Sequence, residues 1–185
     1  GQKAERVDFY DLKADLEALL APRVATFRKV NHPALHPGRA AEVVLDGQVI
    51  GVLGELHPQW VQKYDLPAAP VLFEVALDAL LTRAVVKGQP VSRFQPVRRD
   101  LALVMDESVE AGSLLAAFQA LALPGVTGIG LFDVYRGKGL EEGKKSLAFK
   151  VLMQDTAKTL TDAEVDAAVQ AIIDCAALQG ASLRL

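Results

Sequence analysis

The residues best suited to chemistry lie on two segments, joined by a charged, glycine-rich loop, within residues 131–150. Asp133 and Tyr135 close the first segment, whereas Ser146 and Lys150 alternate with apolar residues along the second. Strict alternation is typical of a β-strand with one face in a core and the other exposed. An aromatic ring, a carboxylate, a hydroxyl and cations on one exposed face suit a ligand that stacks and hydrogen-bonds. A nucleobase is the obvious candidate.

The other reactive residue types do not form a catalytic or metal-binding pattern. His32, His36 and His57 each precede a proline, which prevents the helix that would align the first two as metal ligands, so we expect turn roles. Cys175 lies among alanines without a nearby histidine to activate it, so core packing is expected. The loop 136–139 lacks the spacing of a phosphate-binding motif and is interpreted as a hairpin tip. We therefore predict no catalytic residues and no metal site.

Composition is typical of a globular protein, since 51% of the 185 residues are hydrophobic and 23% are charged. No run approaches the roughly 20 apolar residues of a membrane span. The net charge of −3 argues against nucleic-acid binding through overall positive charge alone. One cysteine excludes an internal disulfide and fits a reducing cytoplasm. The chain starts without Met or a signal-peptide pattern, so we expect a piece of a longer chain.

The first half reads as an α+β unit that ends near residue 88. Its predicted elements are a helix over 8–20, a strand over 23–30, a loop over 31–38, a hairpin over 40–45 and 48–53, a helix over 58–64, a strand over 71–77 and a helix capped by Asp78 and running to about Ala84. Asp46-Gly47 accepts the positive φ of a tight hairpin turn. The run Lys87-Gly88-Gln89-Pro90 breaks regular structure and marks the boundary.

The second half reads as β-α-β-β-α-β, the ferredoxin-like order, over residues 92–185. Strands are predicted over 100–105, 126–135, 145–153 and 182–185, with helices over 111–121 and from a Thr161–Glu164 capping box. Both helices cover one face of the antiparallel sheet, toward which Leu183 is expected to point, and leave the other open. Provided that no bulge intervenes, alternation puts these residues on the open face: Arg98, Ala102, Asp133, Tyr135, Ser146, Ala148, Lys150, Ser182 and Arg184.

Six motifs in order along the chain resemble the bacterial phenylalanyl-tRNA synthetase β-subunit family. They are Phe9-Tyr-Asp-Leu-Lys13, His36-Pro-Gly-Arg39, Gly51-Val-Leu-Gly-Glu-Leu-His-Pro58, Ser92-Arg-Phe-Gln-Pro-Val-Arg-Arg-Asp-Leu-Ala102, Leu131-Phe-Asp-Val-Tyr-Arg-Gly137 and Thr159-Leu-Thr-Asp162. The resemblance implies that residues 1–88 finish an inactive, catalytic-like class II synthetase module. It also implies that residues 92–185 form a ferredoxin-fold anticodon-binding domain.

The resemblance further implies which residues contact the anticodon of tRNA(Phe). By position these are Ala102, Asp133, Tyr135, Ser146 and Arg184. Tyr135 and Ser146 would flank the first anticodon base, and Asp133 would accept hydrogen bonds from its edge. Nearby cations are candidates for contacts with the RNA backbone, namely Arg98, Arg136, Lys138, Lys144 and Lys150.

For the whole protein, the resemblance implies a cytoplasmic ligase that attaches phenylalanine to tRNA(Phe). The implied partner is an α subunit, in a heterotetramer of two α and two β subunits, with ATP and magnesium used at the α subunit. An RNA-recognition motif is rejected, because the outward positions of its third strand need aromatics and here hold Ser146, Ala148 and Lys150. Two alternatives stay open: a ferredoxin-like small-molecule regulatory domain and a structural interface module.

Overall fold

A computed structural model describes residues 6–82, 88 and 91–184. The chain divides into two compact units, Gly1–Lys87 and Gly88–Leu185. Within the described ranges, every helix is too short or too polar to cross a bilayer.

The first unit is a four-stranded antiparallel sheet with a helix packed against it. Its elements are α1 (Phe9–Leu20), β1 (Thr26–Lys29), β2 (Leu35–Leu45), β3 (Gln48–Leu56), α2 (Pro58–Lys63), β4 (Val71–Val75) and α3 (Leu77–Leu81), with sheet order β1-β2-β3-β4. Helix α1 begins after the Asp8 cap and buries Leu16 and Leu20 in the core. The predicted hairpin is confirmed, since Asp46 and Gly47 have φ of 50° and 80°, as a two-residue turn of this type requires.

Two predictions in this unit are wrong. A loop was predicted over 31–38, but β2 begins within it at Leu35. Leu35 is buried and lies opposite Leu56, and a register shift between Leu35 and Ala40 accommodates the irregular stretch. Asp78 does not cap α3, since the helix begins at Leu77 after Ala76 and Asp78 lies in its first turn. The predicted end of that helix, near residue 84, lies outside the described residues.

The turn roles predicted for the histidines are confirmed for His32 and His57, whereas His36 lies on β2 and makes only the same local contact. In each His-Pro-X segment the imidazole Nδ1 accepts a hydrogen bond from the backbone N–H two residues on. The N···N distances are 3.3 Å for His32, 3.0 Å for His36 and 3.1 Å for His57. The His57 bond caps the N-terminus of α2. No group of potential metal ligands occurs among the residues that the structure describes.

The second unit has the predicted ferredoxin-like order. Its elements are β5 (Val97–Asp106), α4 (Ala111–Ala120), β6 (Val126–Tyr135), β7 (Lys144–Met153), α5 (Asp162–Leu178) and β8 (Ser182–Leu183). The antiparallel sheet has the order β6-β7-β5-β8. Both helices pack on one face, where they bury a single core that includes Leu103, Phe118, Phe149 and Ile172.

Local signals in this unit also held, with one exception at the chain end. The Thr161 hydroxyl accepts from the Glu164 N–H, and the Glu164 carboxylate accepts from the Thr161 N–H, which completes the predicted capping box. Cys175 is half-buried against the core, as expected. Leu183 was expected inward but is 40% exposed, because it lies on a two-residue edge strand.

Candidate nucleic-acid interface

The middle of the open face is a floor of small side chains. On β5, Leu101 and Leu103 point into the core, so Ala102 and Val104 point to the side without helices. Across the sheet, Ala102 lies opposite Ala148 and Val104 lies opposite Ser146 of β7. With methyl-sized groups at its centre, this surface lets a planar ligand approach the sheet closely.

A β-bulge at Phe132 decides which residues of β6 face outward. Leu131 lies opposite the buried Phe149, but the register then shifts and Asp133 lies opposite Ala148. Because Leu131 faces the core, uninterrupted alternation from it would direct Asp133 inward, so the alternation predicted for Asp133 and Tyr135 holds only beyond the bulge. The extra residue reverses the faces, so the two site residues predicted on this strand lie on the open face.

The Tyr135 ring is held in place by the loop that follows it. Its hydroxyl donates a hydrogen bond to the Lys138 carbonyl at 3.0 Å. The ring tip also lies against Gly137, where an added Cβ would be 2.8 Å from the hydroxyl oxygen. The side chain remains 37% exposed. The glycine-rich loop therefore positions an aromatic platform on the open face.

Arg184 reaches across the sheet to that platform. Its backbone N–H donates to the Ala102 carbonyl at 2.8 Å, which places it beside β5 at the sheet edge. Its guanidinium carbon nevertheless lies 4.8 Å from the centroid of the Tyr135 ring on β6, within range of a cation–π contact. The small residues between the two strands leave room for this crossing. The structure thus brings together Arg184 and Tyr135, which are far apart in sequence.

The two remaining polar groups of the predicted site differ in access. Asp133 is exposed, and its Oδ1 accepts from the Val134 N–H at 2.9 Å. In the described part of the chain no donor reaches its second oxygen, which is available to a ligand. Ser146 is only 3% exposed, so its hydroxyl belongs to the floor and is covered in this structure.

Most of the predicted RNA-contacting cations already have acidic partners. Guanidinium and ammonium groups pair with nearby carboxylates in Arg98–Asp100 at 2.8 Å, Arg136–Glu107 at 2.6 Å and Lys144–Asp106 at 3.1 Å. The hydrogen bond from Arg136 lowers the pKa of Glu107. Within the described ranges, the ammonium groups of Lys138 and Lys150 form no ion pair. The face therefore carries little excess positive charge.

Phe132 is an exposed aromatic residue that sequence reasoning missed. It is 48% exposed, and the Arg98 guanidinium carbon lies 5.6 Å from its ring centroid. Arg98 belongs to the open face, because it lies opposite Leu152 and forms a bidentate pair with Asp100. The signal available was two adjacent apolar residues, Leu131 and Phe132, at a point where simple alternation would make one of them polar.

Comparisons with known proteins agree with the fold of the second unit. The family described as ferredoxin-fold anticodon binding domain matches residues 92–184, and the phenylalanyl tRNA synthetase beta chain CLM domain matches residues 1–77. The chain is 61% identical over 183 residues to the phenylalanine–tRNA ligase beta subunit of Chromobacterium violaceum, covering 99% of the chain and 23% of that relative.

Similar relatives come from other bacteria. The beta subunit of Dechloromonas aromatica is 55% identical over 175 residues, which is 95% of the chain and 22% of the relative. That of Neisseria meningitidis serogroup B is 52% identical over 184 residues, covering all of the chain and 23% of the relative. The chain thus spans about a quarter of the length of these relatives. It belongs to the ferredoxin-fold anticodon binding domain family, in the form found in phenylalanine–tRNA ligase beta subunits.

Proposed function

We propose that this chain recognises the anticodon of tRNA(Phe) as part of the beta subunit of phenylalanine–tRNA ligase, which attaches phenylalanine to tRNA(Phe) with ATP. The carrying observation is an exposed tyrosine beside an available carboxylate, above a small-residue floor on a helix-free sheet face. Residues 92–185 would be the anticodon-binding domain, and residues 1–88 the last part of a catalytic-like module.

The chain itself supplies recognition and no catalytic centre. Amino-acid activation and transfer, with ATP and magnesium, would take place on an α subunit, in a cytoplasmic assembly of two α and two β subunits. The similarity to beta subunits of phenylalanine–tRNA ligases and the match to their beta chain domain support this assignment.

In the proposed complex, the first anticodon base stacks on Tyr135. Arg184 now occupies space near that ring, so the guanidinium moves aside and either covers the second face of the base or meets a phosphate. The available oxygen of Asp133 accepts hydrogen bonds from the edge of a guanine. Stacking on an aromatic side chain contributes about 1–3 kcal/mol per base.

Such binding needs few ionic contacts, which suits a chain of net charge −3. Lys138 and Lys150 are the cations best placed to meet phosphates without first breaking an ion pair. Each phosphate contacted by a single strand adds about −0.7 to the slope of log affinity against log salt. The salt dependence contributed by this domain is therefore shallow.

Steady-state aminoacylation tests the proposal. The enzyme is a ligase in which this chain replaces the matching segment of the Chromobacterium violaceum beta subunit. Tyr135→Ala should raise the KM for tRNA(Phe) about 5- to 150-fold, while pyrophosphate exchange, which reports amino-acid activation, stays unchanged. Tyr135→Phe keeps the ring and should retain most of the affinity. Unchanged tRNA kinetics in Tyr135→Ala would remove this residue from the site.

A further inference from the structure

The bulge on β6 gives the open face a second aromatic ring. Phe132 is the extra residue between the pairs Leu131–Phe149 and Asp133–Ala148, and about half of its side chain is exposed. It lies outside the core cluster of this unit. A large apolar ring held outward by the backbone marks a place where a ligand can gain contact area.

Two cationic side chains border this ring. The Arg98 guanidinium lies 5.6 Å from the ring centroid, and Asp100 holds it there through two hydrogen bonds of 2.8 and 2.9 Å. Lys150 extends over Gly130, since a Cβ on that glycine would be 3.3 Å from the lysine Cε. Because Gly130 has no side chain, the sheet surface beside Phe132 is flat. In the described part of the chain, the Lys150 ammonium has no acidic partner.

The two rings have separate neighbours on the sheet. Because of the bulge, the four steps from Leu131 to Tyr135 on β6 lie opposite only three steps on β7, a span of about 10 Å. Arg98 lies against Phe132, whereas Arg184, whose N–H bonds to the Ala102 carbonyl further along β5, lies against Tyr135. The rings therefore offer two separate faces with Asp133 between them, which suits two unpaired bases.

We propose that Phe132, Arg98 and Lys150 form a second stacking site, which takes another unpaired base of the same RNA loop. The base stacks on the phenyl ring, the guanidinium covers its edge, and the Lys150 ammonium meets the phosphate that joins it to the base on Tyr135. This inference rests on the proposed function and extends it from one nucleotide to two.

Binding of synthetic anticodon stem-loops to the chimeric ligase tests the inference. One stem-loop is intact, and the others each lack one base of the loop through an abasic substitution. Phe132→Leu removes the ring but keeps an apolar side chain, whereas Phe132→Tyr keeps the ring. Leu178→Ala is the control, because this residue is 86% exposed at the end of α5, away from the sheet face.

Phe132→Leu should weaken binding of the intact loop roughly fivefold or more, and Phe132→Tyr and the control should not. For one of the abasic loops, wild type and Phe132→Leu should have equal affinity, which identifies the base that stacks on Phe132. A different abasic loop should cancel the effect of Tyr135→Ala. Thermal unfolding of each variant verifies that the fold is intact.

Two results would overturn the inference. If Phe132→Leu bound every loop as wild type does while Tyr135→Ala bound more weakly, the proposed function would stand without a second site. Equal weakening of all loops, abasic ones included, would show that the ring acts on the fold and not on a base. If Tyr135→Ala also bound the intact loop normally, the proposed function itself would fail.

Discussion

Replacing Gly137 with alanine should displace the Tyr135 ring without touching the tyrosine. The φ of Gly137 lies outside the left-handed region, so the backbone accepts alanine. The new Cβ would lie 2.8 Å from the tyrosine hydroxyl oxygen and 3.0 Å from its Cζ. Ordinary carbon contacts need about 3.5–4.0 Å, so the ring must swing outward.

The loss of folding stability follows from the contacts of Tyr135 that this movement breaks. The hydrogen bond to the Lys138 carbonyl contributes about 0.5–1.5 kcal/mol, and the exposed contact with Arg184 about 0.5–1 kcal/mol. Both are at the surface and are partly replaced by water, so the unit should lose about 1 kcal/mol of stability, a shift in Tm of about 4–8 °C. Because the stacking platform is no longer in place, affinity for the anticodon stem-loop should fall about 5- to 30-fold.

Titration of the stem-loop against wild type, Gly137→Ala and Gly112→Ala measures this effect. Gly112 is the matched control, since it lies on α4 and a Cβ there meets nothing within 4 Å. Alanine in that helix should stabilise the fold by about 0.5–1 kcal/mol and leave binding unchanged. Wild-type affinity in Gly137→Ala would refute the reasoning that the loop positions the ring for RNA.

Two further predictions concern stability. His57→Ala removes the cap of α2 and should cost the first unit about 0.5–2 kcal/mol in denaturant unfolding; His57→Asn should restore most of it, and equal loss in both variants would contradict a capping role. The Lys158 and Thr161 hydrogen bonds lower the pKa of Glu164 from 4.5 to about 2, so its ionised form stabilises the fold above pH 4.5 and this contribution is lost as the pH falls toward 2. Glu164→Gln should reduce the fall in Tm between about pH 5 and about pH 2. A fall as large as that of the wild type would contradict the stabilising role of ionised Glu164.

The elements predicted best were those with strong local signals. The Thr161–Glu164 capping box and the Asp46-Gly47 turn depend on residues within a few positions of one another, so the sequence specifies them directly. The β-α-β-β-α-β order followed from the spacing of apolar residues, which recur at every second position in the strands and at helical spacing in the helices. Element ends were less accurate, as at Leu35, because pairing with a distant strand decides whether a proline- and glycine-rich stretch is extended.

Several features of the site depended on contacts that the sequence does not show. The acidic partners of Lys144 and Arg136 come from strand pairing and from the loop after β5, as Asp106 and Glu107 respectively. Ser146 is buried although alternation put it on the open face. Local patterns cannot give either result, since both need the relative positions of several strands.

By itself, the sequence determined which residue types alternate along each strand, and hence a core on one face and polar groups on the other. Only the tertiary structure decided that Leu131 faces the core and that a bulge at Phe132 then returns Asp133 and Tyr135 to the open face, because a shift of one residue in strand pairing exchanges the two faces. It also brought Arg184 across the sheet to Tyr135, since that contact requires β8, β5, β7 and β6 to lie side by side over small residues.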